Sequence, residues 1–162
     1  MAIVPVRFEA TLRLRWSAAV AAYLFLAGSA EAQTVVDGDS IEIGSTTYRL
    51  HGIEAPETAQ VCADGWPAGY AAEEYLGELI GGKRITCAPT TGARNGETAA
   101  ICRADGVDLG AAMVTGGFAF AFVPYSARYV SQEAAAASAQ RGVHAHNWLT
   151  PWKWRARLRG AH

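Results

Sequence analysis

Near the start of the chain, two segments in which apolar and polar residues alternate predict a β-hairpin. The segments cover residues 35–43 and 48–57, and Gly44-Ser45 lies between them as the turn. A period of two is typical of strands that bury one face and expose the other. Because a hairpin brings the outer ends of its two strands together, we expect the side chains at those ends to share one place in the fold.

The later patterning predicts helices that alternate with further strands. Apolar residues at intervals of three and four predict an amphipathic helix over 68–79, which Gly81-Gly82 ends. The remaining predicted elements are a second hairpin with strands at 84–87 and 98–103, a short helix from Asp108, an extended apolar segment over 118–123 and an Ala-rich helix over 129–141. About five short strands and three helices suit an α+β, mainly β fold, a small five-stranded Greek-key barrel of the OB type, which commonly binds oligonucleotides.

The first 32 residues predict a secretory signal peptide. Three arginines precede an apolar run over 16–26, and Ala30-Glu31-Ala32 supplies the small-x-small pattern of a cleavage site. The apolar run is too short to span a bilayer. We therefore expect a secreted or periplasmic protein with no membrane association after cleavage, divided into the signal peptide (1–32), a single domain (33–148) and a C-terminal tail (149–162). A monomer is the expected state.

The charge balance gives little sign of tight nucleic-acid binding. The whole chain has a formal net charge of −1, and removal of the signal peptide makes it slightly more negative, whereas proteins that bind nucleic acid without sequence preference usually carry a basic excess. The exception is the tail, where four basic residues alternate with other residues close to Trp152 and Trp154. The simpler interpretation of this tail is a solvated basic end that frays.

Three cysteines follow the signal peptide, Cys62, Cys87 and Cys102. Cys87 and Cys102 each end a short strand-like segment, so a cross-strand disulfide is the preferred pairing in an oxidising compartment, and Cys62 is then free or paired elsewhere. None of the spacings resembles a zinc site, which argues against a zinc or thiol enzyme.

The two ends of the first hairpin carry an unusual concentration of charge. Four carboxylates, Asp37, Asp39, Glu54 and Glu57, are expected to crowd one place together with Arg49. Like charges held together are costly unless a cation neutralises them, and hard oxygen ligands suit calcium. The pattern therefore predicts a cation site, in which Asp37 beside Gly38 serves as a turn residue rather than as a direct ligand.

The hairpin motifs V-x-D-G-D-S-I and R-L-x-G-I-E-A-P-E together closely resemble those of the staphylococcal nuclease (thermonuclease) family. Further matches occur in order at A-D-G-V-D-L-G-A-A-M-V from Ala104, at G-F-A-F-A from Gly117 and at the final helix that ends in Gly142 before Trp148. The resemblance implies an OB-fold, calcium-dependent phosphodiesterase that cuts DNA and RNA, with single-stranded or otherwise flexible nucleic acid as its partner.

The resemblance also implies roles for individual residues. Asp39 and Glu54 match side-chain ligands of the calcium, and Ala55 matches a main-chain ligand. Glu57 matches the general base on the attacking water, and Arg49 matches one of two arginines that hold the scissile phosphate. Residues in nucleotide-contacting positions are Arg94 and Tyr125.

The chain departs from the family pattern in the loop over 93–97. Family members typically read D-x-Y-G-R here, and this chain reads Ala-Arg-Asn-Gly-Glu, so Glu97 replaces the second arginine. A carboxylate repels phosphate, and loss of one such contact typically slows a reaction on the order of a hundredfold or more. Milder changes are Glu54 for the usual Asp and Ser40 for the usual Thr. We expect a nuclease of reduced activity, and the alternative is a non-catalytic OB module that binds nucleic acid or a protein partner.

Overall fold

A computed structural model describes residues 32–92 and 96–160, so the predicted signal peptide lies outside the described residues except for its last position. The strands are β1 (Gln33–Asp37), β2 (Ser40–Ile43), β3 (Thr46–Leu50), β4 (Ile53–Glu54), β5 (Ile85–Pro89), β6 (Thr98–Ala104), β7 (Val107–Asp108) and β8 (Phe120–Ala121). The helices are α1 (Ala68–Ile80), α2 (Leu109–Gly116), α3 (Val130–Ser138), a 3-10 turn (Gly142–Ala145) and α4 (Pro151–Gly160). None of these helices is long and apolar enough to cross a bilayer.

The predicted first hairpin is present as β2 and β3, and it lies in the middle of the main sheet. That sheet has the order β1-β2-β3-β6-β5, with β7 on the outer end of β6. The β2–β3 pair is antiparallel and places Ser40 opposite Arg49, while β3 runs parallel to β6 and places Arg49 opposite Ala99. The side chain of Gln33 in β1 donates a hydrogen bond to the carbonyl of Lys83, just before β5, at 2.8 Å. The two edges of the sheet are therefore close at this point, as expected for a curled, barrel-like sheet.

Each of the two predicted strand segments of the hairpin forms two strands in the structure, β1 and β2 in the first segment and β3 and β4 in the second. The segment over 35–43 turns at Gly38 into β1 and β2, and the register shifts between Val35 and Asp37. The segment over 48–57 turns after Leu50 at Gly52, whose φ of 83° favours glycine, and continues as β4 paired with β8. Each turn redirects the chain, so the acidic residues at the strand ends point into the space beside β3.

The main core lies between the sheet and the first two helices. Ile41 and Leu50 of the sheet pack with Leu76 of α1, and Met113 of α2 and Tyr129 close the far side. A smaller apolar cluster contains Cys62, Ala68, Phe120 and Val143, with Trp66 and Trp152 packed against it. Trp152 belongs to α4, so the C-terminal helix rests on the folded domain.

The predicted short helix from Asp108 is confirmed as α2. The Asp108 side chain accepts a hydrogen bond from the backbone N–H of Ala111 at 3.0 Å, and Gly117 ends the helix with φ of 78°. The phenol of Tyr129 donates to the same carboxylate at 3.0 Å. This contact fixes the start of α2 against the start of α3.

Cys87 of β5 lies directly opposite Cys102 of β6, and a disulfide joins them. Cys62 is free and buried. The disulfide closes a loop whose ends are 15 residues apart, and restraint of such a loop in the unfolded chain is worth about 3 kcal/mol.

A Cys87→Ala/Cys102→Ala variant is expected to lose about 3 kcal/mol of unfolding free energy, because its unfolded chain is no longer cross-linked. Urea denaturation of the variant beside the wild-type protein, each with and without reducing agent, measures the difference. Reduction should weaken the wild-type protein and leave the variant unchanged. Equal stability of the variant and the wild-type protein, both without reducing agent, would contradict the disulfide between Cys87 and Cys102.

Candidate active site

The turn between β1 and β2 directs Asp39 into the interior. Asp37 accepts a hydrogen bond on Oδ1 from the backbone N–H of Asp39 at 3.0 Å, which is the turn role that the sequence predicts for it. A Cβ atom on Gly38 would lie 2.8 Å from the Cβ atoms of both Ala55 and Ala72. Only glycine therefore lets the turn pack this closely against α1, and Asp39 behind it is 3 % exposed.

Asp39 and Arg49 form a two-pronged ion pair across the hairpin. Arg49 Nη1 lies 2.8 Å from Asp39 Oδ1, and Nη2 donates to Oδ2 at 2.9 Å. The backbone N–H of Ala55 donates to Oδ2 as well, also at 2.9 Å. Burial raises the pKa of Asp39 well above its usual range, although the Arg49 guanidinium acts in the opposite direction. The site therefore favours additional positive charge beside this carboxylate.

Glu54 is the most deeply buried carboxylate of the group, at 1 % exposed. Its strand β4 pairs with β8, which places Glu54 opposite Phe120. Arg49 approaches from one side, with Nη2 at 3.5 Å from Glu54 Oε2. Arg155 of α4 approaches from the other side, with Nη2 at 2.6 Å from Oε1. Glu54 thus lies between two guanidinium groups.

Glu57 lies at the outer edge of the same cluster, with 39 % of its side chain exposed. The carboxylate forms an ion pair with Nη1 of Arg155. Gln60 holds the loop, since its backbone N–H donates to the Glu57 carbonyl at 2.7 Å and its side chain accepts from the Glu57 N–H at 3.2 Å. A Cβ atom on Gly69 would lie 1.9 Å from the Glu57 carbonyl oxygen, so α1 also supports this loop directly.

A small pocket of about 50 Å³ opens beside these side chains. Its lining includes Asp37, Asp39, Arg49 and Glu57, together with the Ala55-Pro56 backbone segment. Buried and half-exposed carboxylates therefore converge with a guanidinium at one solvent-accessible place. The sequence predicted that four acidic residues and Arg49 would share one place. Asp37, Asp39, Glu57 and Arg49 line the pocket, whereas Glu54 does not line it but lies with Oε2 at 3.5 Å from Arg49 Nη2.

The family comparison covers most of this pocket. The model of the family described as staphylococcal nuclease homologue matches residues 47–146, more than half of the chain. The chain belongs to this family. Its domain is accordingly an OB-fold. No curated protein gives a significant match to the chain.

Within this nuclease-homologue domain, the matched region includes Arg49, Glu54 and Glu57 but neither Asp39 nor Arg155. Asp39 precedes the match on the β1–β2 turn, and Arg155 follows it on α4. The charged cluster of this family member is therefore assembled from three parts of the chain, of which two, the β1–β2 turn and α4, lie outside the family match.

Glu97, at the position where the resemblance implies an arginine, lies beside Ser40 at the start of β2. The hydroxyl of Ser40 donates to Glu97 Oε1 at 3.4 Å. Burial lowers the pKa of Arg49, but Asp39, Glu54, Asp37 and Glu97 raise it by more. Glu97 therefore adds negative charge to the surroundings of Arg49 and donates nothing to a phosphate.

Of the two predicted nucleotide contacts, Tyr125 and Arg94, only Tyr125 lies among the described residues. Tyr125 is about half exposed and stacks near His51, with ring centroids 6.4 Å apart. A groove lined by Tyr125, His51, Gly92 and Arg49 connects it to the site. Arg94 lies outside the described residues, so its position stays a prediction.

Arg155 is the contact that the sequence analysis missed. The expectation of a solvated end that frays is wrong for residues 151–160, which form α4. Pro151 stands at the first helical position, where its fixed φ and missing N–H suit a helix start, and Trp152 packs on Phe122 with ring centroids 5.7 Å apart. Proline before a Trp- and Arg-rich run was the available signal for an anchored helix.

Proposed function

We propose that this protein is a calcium-dependent phosphodiesterase that hydrolyses DNA or RNA by attack of water on the phosphate. The observation that carries the proposal is that Arg49 pairs with buried Asp39 and Glu54, and that Asp39, Arg49 and half-exposed Glu57 line one small pocket. Family membership supports it, since the resemblance of the hairpin motifs implies the same roles for these residues.

The donor set fits a calcium ion in its chemistry and charge. Five carboxylates, those of Asp37, Asp39, Glu54, Glu57 and Glu97, surround or approach two guanidinium groups, so a divalent cation would reduce the excess negative charge. Among the described residues no group of three or more Asp, Glu, His or Cys side chains is arranged as a metal site. In the proposal an ion would use Asp39, Glu54 and the main-chain oxygen of Ala55, the ligands that the family resemblance implies, with water for its other ligands.

In this proposal the residues of the chain divide the work. Glu57 is exposed enough to meet water, and its carboxylate orients the water and accepts its proton as general base. Arg49, held by Asp39 and Glu54, presents its remaining N–H groups to the phosphate oxygens. Calcium, when bound, supplies positive charge that offsets the charge developing on those oxygens.

The proposal includes a reduced rate of cleavage because of Glu97. The Glu97 carboxylate lies beside the Ser40 hydroxyl and repels an incoming phosphate, whereas an arginine at this position would attract it. Tyr125 lines the groove that also contains His51 and Arg49, where its ring can stack on a base. Such stacking suits single-stranded or flexible substrates. A secreted or periplasmic monomer is part of the same proposal.

The second candidate function is a non-catalytic module that binds nucleic acid or a protein partner. The observation that favours it is the pairing of Asp39 with Arg49 and of Glu54 and Glu57 with Arg155, which offsets part of the negative charge without a metal. A binding protein of this kind needs no free metal ligands.

Glu57→Gln is the variant that separates the two functions. With calcium and a labelled single-stranded DNA, the variant is expected to cleave at least about a hundredfold more slowly than wild type, because glutamine cannot accept the proton. The matched control is Glu74→Gln on the exposed face of α1, which should cleave at the wild-type rate. If the wild-type protein binds the DNA without cutting it, the binding module is the correct function. If Glu57→Gln cuts as fast as its control, the assigned base is wrong.

A further inference from the structure

Arg155 is held at the acidic pocket by the fold and not by a loose tail. The segment before α4 is fastened to the domain, since the Gln60 side chain donates to the Leu149 carbonyl at 2.7 Å and the Ala63 N–H donates to the Asn147 carbonyl at 2.9 Å. Pro151 is buried, and Trp152 packs on Phe120 and Phe122. One helical turn later, Arg155 is directed at the pocket.

The guanidinium of Arg155 contacts two carboxylates at once. Nη2 lies 2.6 Å from Glu54 Oε1, and Nη1 pairs with Glu57. These are a proposed metal ligand and the proposed base, so Arg155 borders the place where a scissile phosphate must lie. About one third of its side chain is exposed, so a substrate can reach it. A guanidinium carries five N–H donors, of which only part is used in these contacts.

Arg49, like Arg155, has both terminal nitrogens engaged by carboxylates, so each guanidinium offers only its remaining N–H groups to a phosphodiester. Two nitrogens of Arg49 are bound to Asp39, and one of these also approaches Glu54. In the described part of the chain, the ion pairs of the pocket carboxylates involve only Arg49 and Arg155 as cations. Glu97 offers no donor, so among the described residues Arg155 is the positive group beside Arg49 that can reach phosphate oxygens at these carboxylates.

We propose that Arg155 of α4 is a catalytic residue, which supplies a guanidinium contact to the phosphate beside that of Arg49, whereas the carboxylate at Glu97 supplies none. The inference rests on the proposed phosphodiesterase function. In the absence of substrate, Arg155 neutralises Glu54 and Glu57. When a phosphodiester enters, Arg155 contacts its nonbridging oxygens and stabilises the charge that develops there as water attacks.

The test compares Arg155→Ala and Arg155→Lys with Arg159→Ala, a control of the same type on the exposed end of α4. With calcium and single-stranded DNA, Arg155→Ala should lower kcat on the order of a hundredfold, and Arg155→Lys should recover only part of the rate because an ammonium group cannot form the forked contact. Arg159→Ala should retain the wild-type kcat. Circular dichroism establishes that each variant is folded.

A rescue distinguishes a catalytic contact from a structural one. Adding Glu97→Arg to Arg155→Ala places a guanidinium at residue 97. The double variant should cleave at least about tenfold faster than Arg155→Ala alone, an effect on the order expected for one charged contact. A variant that is merely misfolded would not be rescued. If Arg155→Ala cleaves as fast as wild type or faster, Arg155 is a spectator or a plug in the pocket, and the inference is overturned.

A binding measurement separates this inference from the proposed function. In the Glu57→Gln background with calcium, where no cleavage is expected, Arg155→Ala should weaken oligonucleotide binding about tenfold more than Arg159→Ala does, because only Arg155 faces the phosphate. That result supports the Arg155 contact even if wild-type protein does not cut. Cleavage by wild type with no effect of Arg155→Ala in either assay overturns the Arg155 contact and leaves the phosphodiesterase intact. If wild type does not cut and binding is also unaffected, both proposals are wrong.

Discussion

Asp39→Asn is expected to weaken calcium binding on the order of a hundredfold or more, because it removes the charge of one of the two buried carboxylates proposed as ligands, and calcium affinity depends strongly on ligand charge. Asparagine has nearly the same shape, and its carbonyl oxygen can still accept the hydrogen bond that the Ala55 N–H donates to Asp39. The turn at Gly38 should therefore persist. Calorimetric titration of calcium into the two proteins measures the change.

The matched control for this variant is Asp105→Asn. Asp105 is exposed on the β6–β7 turn and has a positive φ of 47°, which asparagine also adopts readily. The control should bind calcium as wild type does. Equal calcium affinities of Asp39→Asn and Asp105→Asn would show that Asp39 is not a ligand.

Arg49→Lys is expected to lower kcat on the order of a hundredfold while the variant stays folded. Lysine keeps the charge beside Asp39 but loses the planar fork that contacts both oxygens of that carboxylate and reaches Glu54. Its ammonium group cannot hold Asp39 and donate to a phosphate oxygen in one fixed geometry, so stabilisation of the transition state is lost.

Arg103→Lys is the control for this second variant. Arg103 lies on β6 opposite Thr86 and Asp108, away from the pocket residues. The same substitution there should leave cleavage unchanged. A rate for Arg49→Lys that equals the rate of Arg103→Lys would mean that Arg49 serves only as a structural partner of Asp39.

Local sequence pattern was sufficient to place the hairpin and the residues at its ends. The predicted segments 35–43 and 48–57 contain the observed β2 and the last three residues of β3, and the predicted Gly44-Ser45 turn lies between the two strands. The family motifs then indicated which acidic residues share the site. The break at Gly38 was not visible in that pattern, because it depends on close contact with Ala55 and Ala72 from distant parts of the chain.

The role of α4 could not be read from local pattern for the same reason. Arg155 and Glu57 are 98 residues apart in sequence. Their contact depends on the packing of Trp152 against Phe120 and Phe122, and on the hydrogen bond from the Gln60 side chain to the Leu149 carbonyl. A short run of alternating basic residues with weak apolar periodicity carries no information about these partners, so its helix was interpreted as a solvated end.

The central claim, calcium-dependent cleavage of a phosphodiester at this pocket, is tested most directly by one assay on the wild-type protein. A fluorescently labelled single-stranded oligonucleotide is incubated with the protein in calcium, in EGTA, and in EGTA followed by excess calcium. We predict cleavage products that accumulate in calcium, fall to background in EGTA and return when calcium is restored. Intact oligonucleotide in calcium, or equal cleavage in EGTA, would contradict the claim.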